Sequence, residues 1–423
     1  MCGSRQNVAH LSPGVVELAH AKPKGPRRRL WKKALAVFTL VCVIIVGLWI
    51  AIHKISWLGP FLADTARSVV GTGPIAKLED VAYGLQDRWN LLWRGNEMPE
   101  PYWETPEVVP LPTTLAPAEL PLPPFRLENV PPMHKSWSAP GDGVWVPVED
   151  KLHPDEPIGM LKTLLHPDRT RSWTAVSVVA VDLRQVRLHC VAGKYEPKAS
   201  EKEGMSYVRT GIVPTSEYDT LVAIFNGGFK LEHGRYGMRV DGVTLVRPRA
   251  KACTIAMHAD DRIELGSWER FADTHVDLRW WRQTPACMWE KGKLHIGLTV
   301  DDNTAWGATV DGDTVIRRSA IGLSEDGNVL YVGIGDSTTA RSIAMAMNHA
   351  GSHDVAQLDV NWSFPKFMTI ERKQESGELV GVPITKGFEF DEADFLRKPY
   401  PRDFFYLTRK SKEDVLRALS DEQ

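Results

Sequence analysis

The chain is poor in cysteine and has no surplus of either charge, and both shortages narrow what it can do. Only five cysteines occur in 423 residues. Cys2 and Cys42 are N-terminal, while Cys190, Cys253 and Cys287 lie too far apart for the paired spacing of a zinc site. Those last three allow at most one internal disulfide plus a free thiol. The simpler reading is reduced, buried cysteines serving as small apolar residues. Lys and Arg number 51 against 53 Asp and Glu, a net charge of −2, so no global basic field points to nucleic acid. His-Glu-x-x-His is missing, and the acidic turns Asp301-Asp302-Asn303 and Asp311-Gly312-Asp313 lack the closing glutamate of a calcium loop, so no metal is expected. With no Gly-x-Ser-x-Gly elbow and no dinucleotide fingerprint after a strand, no cofactor is expected either.

Long hydrophobic runs are also scarce, with one exception. Ala34 to Ile52 contains no charged residue. As a helix at ~1.5 Å per residue it spans roughly 28 Å, close to the ~30 Å hydrocarbon core of a bilayer. Lys22, Lys24, Arg27, Arg28, Arg29, Lys32 and Lys33 precede it, and basic residues stay on the cytoplasmic side. The expectation is a single-pass anchor with the N-terminus cytoplasmic and the C-terminal part extracytoplasmic. Trp31, Trp49 and Trp57 suit the two interfaces. A cleaved signal peptide competes with this reading, but a small-x-small site does not follow the run.

The expected organisation is a basic cytoplasmic tail (1–33), a transmembrane helix (34–57), a juxtamembrane segment (58–98), a proline-rich linker (99–143), a globular domain (144–408) and a short C-terminal helix (409–423). Within the juxtamembrane segment, Ile75 to Trp93 has helical apolar spacing that suits a helix near the bilayer. Prolines at 110, 112, 117, 121, 123, 124, 131 and 132 remove amide donors and fix φ, so that stretch reads as an extended spacer. The globular domain reads as α+β, mostly strands in mixed sheets with a few helices. Thr174 to Leu183, Val186 to Ala192, Leu221 to Phe225, Thr254 to His258 and Val329 to Ile334 are β-branched or apolar runs. Asp241-Gly242, Asp311-Gly312 and Asp326-Gly327 punctuate them as hairpin turns. Ala340 to His349 reads as a helix, capped by Thr338 or Thr339 and closed by Gly351.

Three polar segments follow apolar strands and are the candidates for chemistry. Asn226, Gly227, Gly228 and Lys230 follow Leu221 to Phe225. Two glycines bring bare amides close to a ligand, Asn226 both donates and accepts, and Lys230 supplies a cation; a plain tight turn would use the same residues. Arg318 and Ser319 end a strand that begins near Val315. Arginine's planar fork suits a phosphodiester, although the adjacent Arg317 would point to the opposite face. Asp336 precedes the helix and serves either as its charge partner or as a carboxylate of a site. Asp359 ends the strand Val355 to Leu358 and is the leading carboxylate, followed by Asn361, Trp362 and Ser363. Burial would raise its pKa and a nearby Arg318 would lower it.

In this order, Asn226-Gly227-Gly228-Phe229, Gly237 to Gly242, Arg318-Ser319-Ala320-Ile321-Gly322 and Leu358-Asp359 resemble the phosphodiester glycosidase family, whose best-known member uncovers a mannose phosphate by removing N-acetylglucosamine. The resemblance runs from about Val176 to Leu407. It implies hydrolysis at an anomeric carbon with phosphate leaving. Asp359, Asp336 and Arg318 would be catalytic, and Asn226, Gly227, Gly228, Lys230, Ser319, Asn361, Trp362 and Ser363 would bind substrate. Where the family continues as Asp-Gly-Gly-Gly-Ser, this chain reads Asp359-Val360-Asn361-Trp362-Ser363. Trp362 then offers a flat face to a sugar ring in place of open amides. The expected partners are a carbohydrate or sugar-phosphate polymer of the envelope or an exopolysaccharide, and the membrane through one helix. The alternative is a non-catalytic glycan-binding envelope protein on the same fold.

Overall fold

The computed structural model describes residues 27–54, 72–105, 124–271, 277–299, 306, 315–360, 363–385, 387–388 and 390–421, with isolated positions at 58, 62 and 65. Most of the basic tail, Trp57, Asp301-Asp302-Asn303, Asp311-Gly312-Asp313, Asn361 and Trp362 lie outside the described residues, as does the side chain of Trp49. Two compact units divide the chain, residues 1–59 and residues 60–423. In the first, helix α1 (Arg27–Lys54) contains the span Trp31–Leu48, long and apolar enough to cross a membrane. Most of its described side chains, Leu35, Phe38 and Ile44 among them, are exposed.

The second unit begins with helix α2 (Thr72–Arg94) and is built on three sheets. The largest has the strand order β1 (Val146–Pro147), β2 (Met160–Leu165), β3 (Ala175–Asp182), β14 (Val329–Thr338), β13 (Ile316–Leu323), β15 (Asp354–Val360), β11 (Trp289–Glu290), β12 (Lys293–Leu294). A second runs β7 (Val243–Val246), β6 (Met238–Val240), β10 (Leu278–Thr284), β8 (Cys253–His258), β9 (Ile263–Ser267). The third runs β17 (Leu379–Pro383), β16 (Phe367–Arg372), β5 (Leu221–Asn226), β18 (Phe404–Arg409), β4 (Val186–Val191). Neighbouring strands in all three sheets pair antiparallel, which corrects the expectation of mixed sheets. Among the described residues the remaining α-helices are the single turn α3 (Lys202–Met205), α4 (Ala340–His349) and α5 (Lys412–Asp421).

Strand alternation explains how one core serves three sheets. Along β3, Val179 and Val181 enter a central core with Met257 of β8, Phe225 of β5 and Phe405 of β18. Val176, Val178 and Ala180 point the other way, against Ile343, Ala344 and Met347 of α4. Every residue of β3 is therefore buried, and apart from Ser177 and the closing Asp182 the strand is apolar on both faces. Helix α4 carries β14 over β13 to β15, so the C-terminal ends of β14 and β15 and the N-terminal end of β13 share one edge. That edge positions the site.

Two expectations about the linker and the cysteines change. Residues 124–143 are packed rather than extended away from the domain: Phe125 joins the core beside Trp145, and the amide of Val130 donates to the Gly143 carbonyl at 3.0 Å. Proline excluded ladder pairing there, but it did not prevent docking of apolar side chains. Cys253 and Cys287 form a disulfide with Cα atoms 4.7 Å apart, so of the three candidate cysteines only Cys190 is a free thiol.

Candidate active site at a seam between two sheets

The turn after β5 meets the edge formed by β13 and β15. Leu221–Asn226 is fully buried between β16 and β18, so it delivers Asn226 to the strand end with its side chain already enclosed. Asn226 Nδ2 donates to Ser319 Oγ at 2.8 Å, and Ser319 Oγ donates to the Asp359 carbonyl at 2.9 Å. The Asp359 amide donates to the Gly227 carbonyl at 3.0 Å. The Lys366 amide donates to Asn226 Oδ1 at 2.9 Å, which completes the amide side chain. Asn226, Gly227, Ser319 and Asp359, chosen from three distant stretches, thus share one hydrogen-bonded cluster.

A bulge aims Asp359. Arg318 pairs with Val360 and Ala320 with Gln357, so three steps along β15 match two along β13. The extra residue turns the strand end. Gln357 Oε1 accepts from Arg318, while the Asp359 carboxylate meets Arg402 instead. Asp359 is almost wholly buried. Burial raises its pKa and outweighs the lowering by the Arg402 charge, its hydrogen bond and the Val360 amide. The charge that opposes burial is that of Arg402, not of Arg318 as the sequence suggested.

Arg318 faces away. Its guanidinium is fully buried and donates to the Thr338 carbonyl at 3.1 Å, the Trp306 carbonyl at 2.6 Å and Gln357 at 2.9 Å. Desolvation pushes its pKa down to about 9. Arg317 points to the other side of β13, where it lies 3.6 Å from Asp336 and 4.1 Å over the Phe388 ring. Asp336 lines a small cleft of about 20 Å³ with Arg317, Ser337 and residues of α2. One of its oxygens, Oδ1, is buried with no hydrogen-bond partner among the described residues. Burial first, then the Asp336 charge, push the Tyr102 hydroxyl up to about 12. Asp336 and Asp359 therefore end strands on one sheet edge with β13 between them, about 10 Å apart at ~4.8 Å per strand spacing.

The two glycines have an occupant already. The Gly227 amide donates to the Asp403 carbonyl at 2.9 Å, and the Gly228 amide to Asp403 Oδ2 at 2.8 Å. A Cβ on Gly227 would sit 2.3 Å from that carboxylate oxygen, and one on Gly228 would sit 2.9 Å from Arg282. Close approach is indeed what the glycines allow, but the approaching group is Asp403. Arg282 holds both oxygens of that carboxylate, at 2.9 and 3.1 Å, with both side chains fully buried. It also donates to the Phe229 carbonyl at 2.6 Å. Lys230, next in sequence, is buried with its amine 3.9 Å from Glu232. Ser363 lies in the connection from β15 to β16, next to Phe364, on whose ring Arg402 rests at 3.7 Å.

Arg282, Lys366, Arg402 and Asp403 escaped the sequence reading. Arg282 left a signal, a charged residue directly after two tryptophans inside the buried strand Leu278–Thr284. Arg402-Asp403 immediately before the apolar strand Phe404–Arg409 is the same kind of signal. Lys366 pairs with Asp394 at 2.6 Å, both buried, and its amine lies 5.1 Å over the Tyr400 ring. No group of three or more metal-ligating side chains occurs among the described residues.

No family model matches the chain, and no curated protein matches it. Among solved structures it is similar to the catalytic domain of zebrafish N-acetylglucosamine-1-phosphodiester alpha-N-acetylglucosaminidase auto-inhibited by its pro-peptide. That match has 14% identity and a TM-score of 0.39, over 63% of this chain and 88% of that one. It is also similar to a hypothetical protein from Synechocystis, at 9% identity and a TM-score of 0.32, covering 61% of this chain and 65% of that one. A Burkholderia pseudomallei protein that carries an exported-protein name matches at 10% identity and a TM-score of 0.28, over 56% and 74% of the two chains. The first match is to the family that the motifs resemble. Likeness at these scores carries no chemistry, which has to come from the site's own residues.

Proposed function

We propose that the domain hydrolyses the glycosidic bond of a sugar phosphodiester outside the membrane, held there by α1 as a single-pass anchor. The observation that carries this reading is the buried Asp359 carboxylate, raised in pKa and paired with Arg402 beside Asn226 and Ser319. A buried carboxyl whose pKa burial raises is a stronger base than an ordinary carboxylate once ionised. The water oxygen bonds to the anomeric carbon, the bond from that carbon to the phosphate oxygen breaks, and phosphate leaves with the electron pair. Asp359 takes the water proton as base, or attacks first as nucleophile. Phosphate needs little acid assistance, so charge stabilisation matters more.

Arg402 is the guanidinium beside Asp359, and its buried Nε has no partner among the described residues, which suits a phosphate oxygen. Arg318 acts as a positioning residue that fixes the strand edge, and Asp336 with Arg317 supplies a second ionic pair on that edge. Asn226, Asn361, Trp362 and Ser363 would orient the sugar. The disulfide agrees with an oxidising, extracytoplasmic setting, where an envelope polysaccharide is the substrate class.

A second reading, a glycan-binding protein without turnover, draws on the same ionic groups. Both Asp403 oxygens and the Asp359 carboxylate are already engaged by arginines, which leaves those carboxylates held in place rather than free for chemistry. The test incubates the full-length protein with an N-acetylglucosamine phosphodiester and measures free sugar. Release that falls at least about 100-fold in Asp359→Asn supports hydrolysis. Equal turnover by both proteins removes Asp359 from the mechanism, and binding with no turnover by the unmodified protein selects the second reading.

A further inference from the structure

Helix α2 is docked inside out. A surface helix ordinarily buries its apolar stripe and leaves its polar face in water. Here Tyr83, Asp87 and Asn90 are the half-buried residues that turn toward the domain. Arg171 grips both oxygens of Asp87, at 2.8 and 2.7 Å, and Arg94 lies 5.1 Å over the Trp173 ring. Five large apolar side chains face out: Val81 is 59% exposed, Leu85 60%, Trp89 62%, Leu92 82% and Trp93 72%, while Leu91 is half-buried. At 3.6 residues per turn these five fall within an arc of about 120°, opposite the polar contacts. Trp89 and Trp93 stand 5.7 Å apart, and exposed Arg88 flanks the stripe.

We propose that this outward face of α2 is a membrane-docking surface, lying along the headgroup boundary of a lipid bilayer and fixing the domain against it. Three observations select lipid as the occupant. Five large apolar side chains exposed on one helical face call for a second apolar phase. Paired tryptophans with leucines on one helical face and a cation at its margin are the composition of interfacial helices. The membrane-length helix α1 ends at Lys54 and α2 begins at Thr72, so only a short stretch of sequence separates the two helices. The polar face meanwhile closes one side of the cleft that holds Asp336 and Arg317. Docking would therefore orient the sheet edge carrying Asp359 at a set height above the surface. This last argument leans on α1 as an anchor, whereas the exposed stripe does not.

The experiment keeps the two apart. The full-length protein carries a protease site inserted between Gly59 and Pro60 and is reconstituted in phosphatidylcholine vesicles containing phosphatidylglycerol. Resistance to alkaline extraction before cleavage reports on the anchor. Flotation of the domain after cleavage reports on α2. The inference predicts that the cut domain stays with the vesicles. Trp89→Glu with Trp93→Glu should release it, lowering partition at least about tenfold, while Met205→Glu at another exposed site should not. Domain that stays bound after cleavage although the uncut chain extracts freely would remove the anchor and keep the docking face. Release of the unmodified domain on cleavage would overturn the inference, and so would a soluble dimer that breaks apart in the Trp89→Glu, Trp93→Glu variant, since the face would then bind a second copy.

Discussion

At the residue scale the site is a set of buried charges whose partners fix their roles. Removing one member of a fully buried ion pair strands the other and costs about 3–5 kcal/mol. Asp403→Asn should therefore destabilise the domain by that order in chemical denaturation, and it also removes the carboxylate oxygen that accepts from the Gly228 amide. Gly227→Ala should cost about 1–3 kcal/mol, because the added methyl meets backbone and carboxylate atoms of Asp403 that have nowhere to go. Asp359 is distinguished by pH. Its folded pKa lies above its unfolded value, so the native state holds the proton more tightly. Its favourable contribution is full below the ordinary carboxylate pKa of about 3.9 and is lost as pH rises through the raised value. Asp359→Asn removes that loss. The stability of the variant relative to the unmodified protein should climb between acidic and neutral pH, measured by urea unfolding, and a difference independent of pH would contradict the burial argument.

At the element scale, much of the fold was legible because local chemistry and tertiary context agree. Ala340–His349 is the helix expected, with Thr339 Oγ1 accepting from the Ser342 amide at 3.0 Å and Gly351 at φ +118°. Thr339→Ala should lower thermal stability by about 1 kcal/mol. Asp241-Gly242 turns β6 into β7 with both residues at positive φ, as the hairpin reading requires. What escaped was register. A bulge between Gln357 and Val360 carries no marker in a sequence of this composition, yet it turns Asp359 toward Arg402 and leaves Arg318 with Gln357. The choice between Arg317 and Arg318 hung on that register. The Gly227-Gly228 pair was visible as a place of close approach, while the identity of the approaching group lay 175 residues away at Asp403.

At the scale of the whole molecule, an apolar helix precedes a three-sheet domain whose candidate site sits where the large sheet meets the third one. The order of the motifs was enough to bring Asn226, Ser319 and Asp359 together, because each follows a strand whose burial leaves its end little freedom. The proline-rich stretch misled in its second part, since Phe125 and the Val130 to Gly143 contact dock it on the core. Truncation that removes residues 124–143 should therefore expose the face beside α4 and lower the melting temperature rather than merely shorten a spacer.

The most direct measurement is hydrolysis of an N-acetylglucosamine phosphodiester in oxygen-18 water by the full-length protein, with mass analysis of both products. Attack at the anomeric carbon puts the heavy oxygen in the released sugar and none in the phosphate, with label incorporation lost in Asp359→Asn. Heavy oxygen in the phosphate would mean that the phosphorus–oxygen bond breaks, and the glycosidase account of Asp359 and Arg402 would be wrong.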